Sequence, residues 1–305
     1  MNPEGSVVAV DIGGTTTKLA LVDRQGAVEH WRTFSTSGPN AESFVEKLLA
    51  GIRRLQAPSR GPVLGVSVAI AGFVTSDGIL EYNPNLPWLQ GAPVGATLQR
   101  ELGVPVHVES DSNAACAAEY VFGQGKTAPR FLCLTGGTGL GVGMIVQGRL
   151  LRVAHGCIGD AGHVIVLAGG PRCSCGGRGC AEALLSTAVL GQRYAQSLGE
   201  ESATFRILVR DAQAGKETAV EILRQAGYWL GVAAASLSHI LFPDRIAVAG
   251  GLSRAGSILF LAAQDSFREH CGEFPLASCS IVPAVTGEHA TLIGAAASIF
   301  HPELR

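Results

Sequence analysis

The chain has 305 residues, 47% of them hydrophobic and 16% charged, with 23 Lys and Arg against 25 Asp and Glu. A near-neutral balance without a basic run longer than two residues excludes a nucleic-acid surface, and no apolar run approaches the roughly 20 residues that a membrane span needs. The opening MNPEGSVVAVDIGG has neither the basic region nor the apolar core of a secretion signal, so a cytoplasmic protein of two domains is expected. Three of the eight cysteines crowd into one segment. The other five, Cys116, Cys133, Cys157, Cys271 and Cys279, stand in apolar surroundings and read as core residues of a protein in a reducing compartment.

In chain order, strands are expected at Val7–Ile12, Leu19–Val22, Val63–Ile70, Val104–Glu109, Phe131–Leu134, Val142–Val146 and Arg245–Ala249. Between the second and third, Phe44, Val45, Leu48, Leu49, Ile52 and Leu55 recur at helical spacing, with Asn40 as the N-cap. Further helices fit residues 113–122, Thr218–Ile240, Arg254–His270 and Ala290–Phe300. Strands alternating with helices give an α/β fold. Two related strand–turn–strand units, VVAVDIGGTTTKLALVD and RFLCLTGGTGLGVGMIVQG, suggest a duplicated core with a ligand between the copies. The expected domains are 1–111 and 112–289, with residues 290–305 packing back on the first.

The 40 glycines, about twice the usual share, gather at the turns. In Asp11-Ile-Gly-Gly-Thr-Thr-Thr-Lys18, Gly13 and Gly14 let successive N–H groups and the hydroxyls of Thr15 and Thr16 converge on an anion, with Lys18 close by. Asp11 can hold Mg²⁺ or its water shell. Taken alone, this loop is also an ordinary Gly-Gly hairpin, and it has neither Walker nor dinucleotide-fold spacing. The second loop, Gly137-Thr138-Gly139, and the pair Gly250-Gly251 after RIAVAGG make three backbone cradles in one chain, which points to a nucleotide phosphate site.

In VHVESDSNAACAAEY a strand ends and a helix begins at Asp111. An ionised carboxylate there can act as the general base that takes the proton of an alcohol. The alternative is that Asp111 or Ser112 only caps the helix. Beside a nucleotide site, a lone aspartate means phosphoryl transfer.

The segment HVIVLAGGPRCSCGGRGC holds His163, Cys173, Cys175 and Cys180 in the spacing His-x9-Cys-x-Cys-x4-Cys. Four such ligands leave no open position and make a structural type of zinc site; a cluster of reactive thiols is the other reading.

Together DIGGTTTK, SDSN, GTGLGVG, GDAGH, CSCGGRGCAE, NPNLPW and the tail TLIGAA resemble the ROK family of sugar kinases and repressors. The resemblance covers nearly the whole chain and implies the actin/hexokinase-like (ribonuclease H-like) fold with a zinc-binding loop. It implies that Asp11 to Lys18 and Gly137 to Gly139 handle the phosphates of ATP, with Mg²⁺, and that Gly250 and Gly251 lie near the adenosine. Asp111 becomes the base for the 6-hydroxyl of a sugar. Sugar contacts are implied for Gly72, Asn85, Ser110, Asp111, Asp160, His163 and Glu182, and a homodimer for the assembly. The zinc would then be structural, fixing the wall of the sugar pocket through His163 and Glu182.

Two positions depart from the family pattern. Ser110 replaces the usual Asn before the catalytic Asp, and Asp160 replaces the Glu of Glu-x-Gly-His. In the family both meet the sugar near its 3-hydroxyl, so both changes open space on one side of the ring. A buried group left unpaired costs about 1–3 kcal/mol. A hexose altered at C3, such as 3-amino-3-deoxyglucose (kanosamine), is therefore the expected acceptor, its ammonium facing Asp160. An ordinary glucokinase whose pocket rebuilds contacts through water and a cyclitol kinase are the alternatives. A sugar-responsive repressor is disfavoured, because only ten residues precede Asp11. A pure zinc-binding interaction module leaves the phosphate loops and Asp111 unexplained.

Overall fold

The computed structural model describes residues 5–56, 61–276 and 278–305. These form two compact units: one of the residues up to Lys126 with Gly143–Gly159 and Glu288–Arg305, the other of Thr127–Val142 and Asp160–Gly287.

The first unit starts with β1 (Ser6–Ile12), β2 (Thr16–Asp23) and β3 (Val28–Ser35), followed by α1 (Ala41–Gln56) and β4 (Val63–Ile70). A small hairpin of β5 (Phe73–Val74) and β6 (Leu80–Tyr82), then α2 (Val94–Leu102), lead to β7 (Val106–Ser110) and α3 (Asp111–Phe122). The sheet order is β3-β2-β1-β4-β7, antiparallel from β3 to β1 and parallel from β1 to β7. Asn40 caps α1 as expected, its Oδ1 accepting from Ser43 N at 2.9 Å. All six apolar positions of that helix are buried on the sheet, so truncating Leu48 should cost about 2–5 kcal/mol. Strand β3 escapes the sequence pattern because it is an edge strand, exposed at most positions, so no period-2 burial selects its residues.

The second unit contains β8 (Arg130–Gly136) and the start of β9 (Leu140–Val146); β10 (Arg149–Leu150) follows in the chain. After a long irregular stretch come α4 (Glu182–Leu185), α5 (Thr187–Leu198), α6 (Phe205–Gln213), α7 (Glu217–Leu241), β11 (Arg245–Gly250), α8 (Ser257–Cys271) and β12 (Ser280–Pro283). The sheet order β10-β9-β8-β11-β12 repeats that of the first sheet. Residues 254 and 255, expected to begin a helix, lie in a 3-10 turn, and α8 starts after Gly256.

The chain closes with α9 (Ala290–Phe300), which packs along α3 within the first unit. Runs of buried alanine on both, Ala114–Ala118 around Cys116 and Ala295–Ala297, allow that close approach. Helix α3 begins at Asp111, the expected domain border, and its unit continues to Lys126. Cys116, Cys133, Cys157, Cys271 and Cys279 are all buried. No helix among the described residues is long and apolar enough to cross a membrane.

Candidate active site

In the first unit, β1, β4 and β7 end level, Ile12 pairing with Ile70 and Ile70 with Ser110. The carboxyl ends of parallel strands are where open α/β sheets take ligands. Asp11 stands one residue before the end of β1 and Asp111 directly after β7, two strands away and so about 10 Å apart by strand spacing. The hairpin register sets Lys18 opposite Asp11, with Nζ 3.3 Å from Oδ2. Burial raises the pKa of Asp11, and the Lys18 charge opposes that rise.

The turn closes with Gly13 N donating to Thr16 O at 3.1 Å. Thr15 and Thr16 are exposed, whereas Thr17 turns inward and its hydroxyl lies 2.7 Å from that of Thr36. Asn85 sits beside the turn, where a Cβ on Gly14 would come 3.1 Å from the Asn85 Cβ. Its backbone N–H donates to Asn83 Oδ1 at 2.7 Å, and Asn83 Nδ2 donates to Ala71 O at 2.6 Å. Next to that bond Gly72 has φ +116°, and any Cβ there would strike the Tyr82 carbonyl.

Asp111 opens α3, but neither it nor Ser112 is the cap. Ser110 caps the helix, its Oγ accepting from Asn113 N at 3.3 Å. The Asp111 carboxylate does not cap the helix; its Oδ1 accepts from the Ser112 hydroxyl at 3.3 Å. Burial and then the negative charge of Asp11 push its pKa up to about 6, against the N–H groups of Ser112 and Asp111 and the Ser112 hydroxyl. A base with such a pKa is ionised at neutral pH and still able to take a proton. Ser110, expected to accept from a sugar, is 5% exposed and already accepts the capping bond.

In the second unit, Gly136 and Gly250 pair at the ends of β8 and β11. Gly250, at φ +76°, packs so close that a Cβ would stand 2.5 Å from the Gly136 carbonyl oxygen. The 137–139 turn is held by Gly137 N donating to Gly139 O at 2.8 Å and by Thr187 Oγ1 donating to Gly137 O at 2.9 Å. Thr138 is exposed at its tip. A cavity of about 470 Å³ opens beside Gly251 and Thr187, with Phe205, Arg206 and Arg254 on its walls. That volume suits a nucleoside-sized ligand.

His163, Cys173, Cys175 and Cys180 converge so that their ligand atoms all lie within 4.8 Å of one another. Cys175 and Cys180 Sγ are 3.7 Å apart, and Cys173 Sγ is 3.7 Å from His163 Nδ1. Those are the edges of a tetrahedron with bonds of about 2.3 Å to sulfur and 2.0 Å to nitrogen, far from the ~2.05 Å of a disulfide. The donor set therefore fits zinc. His163 Nδ1 faces the thiols, while Nε2 faces Asp160 Oδ2 at 3.6 Å. The other oxygen of Asp160 accepts from Gly162 N at 3.0 Å, capping the short turn that carries His163. Glu182 accepts from Leu140 N at 3.1 Å through Oε2 and from Ser174 Oγ at 2.9 Å through Oε1. It thus ties the second glycine turn to the cysteine loop.

Several residues around these turns carry no signal in the sequence. Thr187 and Ser174 act through hydrogen bonds to positions 50 and 8 residues away, and no spacing rule reveals such contacts. Glu109 and Asn113 flank Asp111 in VHVESDSN, but nothing in the local pattern shows that both are buried.

The profile of the ROK family matches residues 7–301. The glucokinase of Thermotoga maritima is 30% identical over 311 residues, covering 97% of this chain and 98% of that protein. The crystal structure of a ROK family glucokinase from Streptomyces griseus in complex with glucose and AMPPNP superposes with a TM-score of 0.83 at 30% identity, covering 96% of this chain and 98% of that one. A ROK family transcriptional regulator, a homolog of the E. coli MLC protein, has a TM-score of 0.89 at 24% identity, covering 99% of this chain and 80% of that one; it shares the fold. The chain belongs to the ROK family.

Proposed function

We propose that the protein, an ATP-dependent sugar kinase of glucokinase-like type, phosphorylates the 6-hydroxyl of a hexose with Asp111 as the general base. The observation that carries this reading is the buried carboxylate of Asp111, which Ser110 relieves of capping the helix and whose pKa burial and the charge of Asp11 raise to about 6. Asp111 takes the proton of the attacking hydroxyl as its oxygen bonds to the terminal phosphorus of ATP, and the bond from that phosphorus to the bridging oxygen breaks to release ADP. Gly13, Gly14, Thr15, Thr16 and Lys18, with Gly137, Thr138 and Gly139, hold the phosphates, and Asp11 serves Mg²⁺. Gly250 and Gly251 border the adenosine. Magnesium supplies charge neutralisation on the phosphates when bound.

Zinc held by His163, Cys173, Cys175 and Cys180 fixes the loop and leaves His163 Nε2 free to donate to a sugar hydroxyl. Gly72, Asn85, Ser110, Asp160 and Glu182 complete the sugar contacts. The acceptor is a hexose altered at C3, 3-amino-3-deoxyglucose in the first place, since Ser110 and Asp160 are both shorter than the residues usual in the family. Ordinary glucokinase activity is the second reading, favoured by the 30% identity to a glucokinase. A panel of hexoses, 3-aminohexoses and cyclitols with ATP, read as ADP release, separates the two. Glucose outperforming every C3-modified sugar would leave the glucokinase.

A further inference from the structure

Next to Asp111 in the chain lies a charge cluster around a buried carboxylate that the phosphoryl transfer itself does not use. Glu109, the penultimate residue of β7, is 3% exposed. Its Oε1 accepts from Ser110 N and from Asn113 Nδ2, both at 2.9 Å. Its Oε2 pairs with the Arg152 guanidinium, and His107 Nε2 stands 3.8 Å away. Asn113 is fully buried, and its Nδ2 also donates to Gly156 O at 3.0 Å. The loop of residues 152–156 therefore grips the chain at two points, two residues before Asp111 and two residues after it.

We infer that Glu109, Arg152 and Asn113 form a clamp that positions the Asp111 carboxylate for proton transfer. The three are positioning residues and touch neither substrate. As a device for stability the cluster is a poor choice, because an ion pair with a buried carboxylate must offset its desolvation and rarely outperforms apolar packing of the same volume. What it does supply is direction. By accepting the Ser110 N–H, Glu109 fixes the peptide that leads into Asp111, and Asn113 fixes the first turn beyond it. Displacing a reacting group by 1 Å can cost about a hundredfold in rate. Burial pushes the Glu109 carboxyl up, but His107, Arg152, Asn113 and the Ser110 N–H together hold it below the usual carboxylate value. The clamp therefore stays charged where the enzyme works.

The inference rests on Asp111 being the base. Its test is the kcat of Arg152→Met, Arg152→Lys and Glu109→Gln, counted per sugar-binding site by calorimetry so that misfolded protein drops out. Arg152→Met and Glu109→Gln should lose about ten- to a hundredfold in kcat, with KM for sugar and ATP within about threefold. Arg152→Lys, which keeps the charge, should recover most of that loss. A kcat per site within about threefold of wild type in Glu109→Gln, the isosteric change that best preserves folding, overturns the clamp. So does a loss that follows the number of binding sites. If Asp111→Asn is inactive while Arg152→Met turns over normally, the clamp alone falls. If Asp111→Asn retains activity, the base assignment and the clamp fall together.

Discussion

The two five-stranded sheets share one strand order and a glycine turn at the same place, yet they handle charge in opposite ways. In the first unit the corner is ionic. Asp11 faces Lys18 across the hairpin, and Asp111 stands two strands away, two residues after the buried Glu109 that pairs with the partly exposed Arg152. In the second unit the turn at Gly137–Gly139 carries no charge of its own. It is steadied from outside by Thr187 and by Glu182, whose carboxylate also holds the cysteine loop. The two turns thus differ in what holds them: the first lies among paired charges, the second is held by hydrogen bonds from outside the turn. The difference arises from side chains placed on equivalent backbones, since backbone geometry alone cannot set a pKa.

The sharpest way to break this comparison is to remove the charge that defines the ionic corner. Asp111→Asn should lower kcat about 10³-fold, the usual worth of a general base, while sugar affinity stays within a few-fold. In wild type, kcat/KM should fall as pH drops through about 6, where Asp111 takes up a proton. The same residue affects stability. The folded protein holds this proton up to about pH 6 and the unfolded chain releases it near 3.8, so stability declines as pH rises through that window, by at most about 3 kcal/mol. Asp111→Asn should lack this decline in denaturant titrations at pH 4 and pH 7. An equal decline in the variant would show that the cost lies elsewhere.

The next effect concerns the acceptor. The double change Ser110→Asn with Asp160→Glu should swing preference from a 3-amino hexose toward glucose by about ten- to a hundredfold in kcat/KM, the worth of a charge-assisted contact. The two positions are changed together because neighbouring pocket residues do not add. No swing would mark them as neutral replacements.

On the neutral copy, elemental analysis should find one zinc per chain, and Cys175→Ser should lose it. Loss of a structural metal should lower Tm by several degrees and raise the sugar KM about tenfold, because the metal would tie His163 to the cysteine loop, which through Ser174 reaches Glu182. Metal-free protein with unaltered sugar affinity would detach the loop from recognition. The smallest effect is expected at a pair remote from both corners. Arg130 and Asp244, 2.6 Å apart and partly exposed, join the starts of β8 and β11. Asp244→Asn should cost about 1 kcal/mol or less and leave kcat unchanged.

Much of this molecule is written in local pattern. The apolar periodicity of α1, the glycine turns after β1 and β8, and the His163–Cys180 spacing can each be read without the fold, because each depends on residues within about twenty positions of one another. Locally, Asp111 reads first as a helix cap where a strand meets a helix; its role as a base is drawn from the phosphate loops on either side and from the family resemblance. Other features depended on contacts that only folding creates. That Ser110 caps α3 in place of Asp111 or Ser112 was decided by backbone geometry at the strand end. That Glu182 holds the 137–139 turn, and that Arg152 reaches Glu109 from 43 residues away, were decided by packing, which brings distant segments within hydrogen-bond range. The raised pKa of Asp111 belongs to the same group, since burial and the neighbouring Asp11 set it, and both arise only when β1 and β7 are laid side by side with β4 between them.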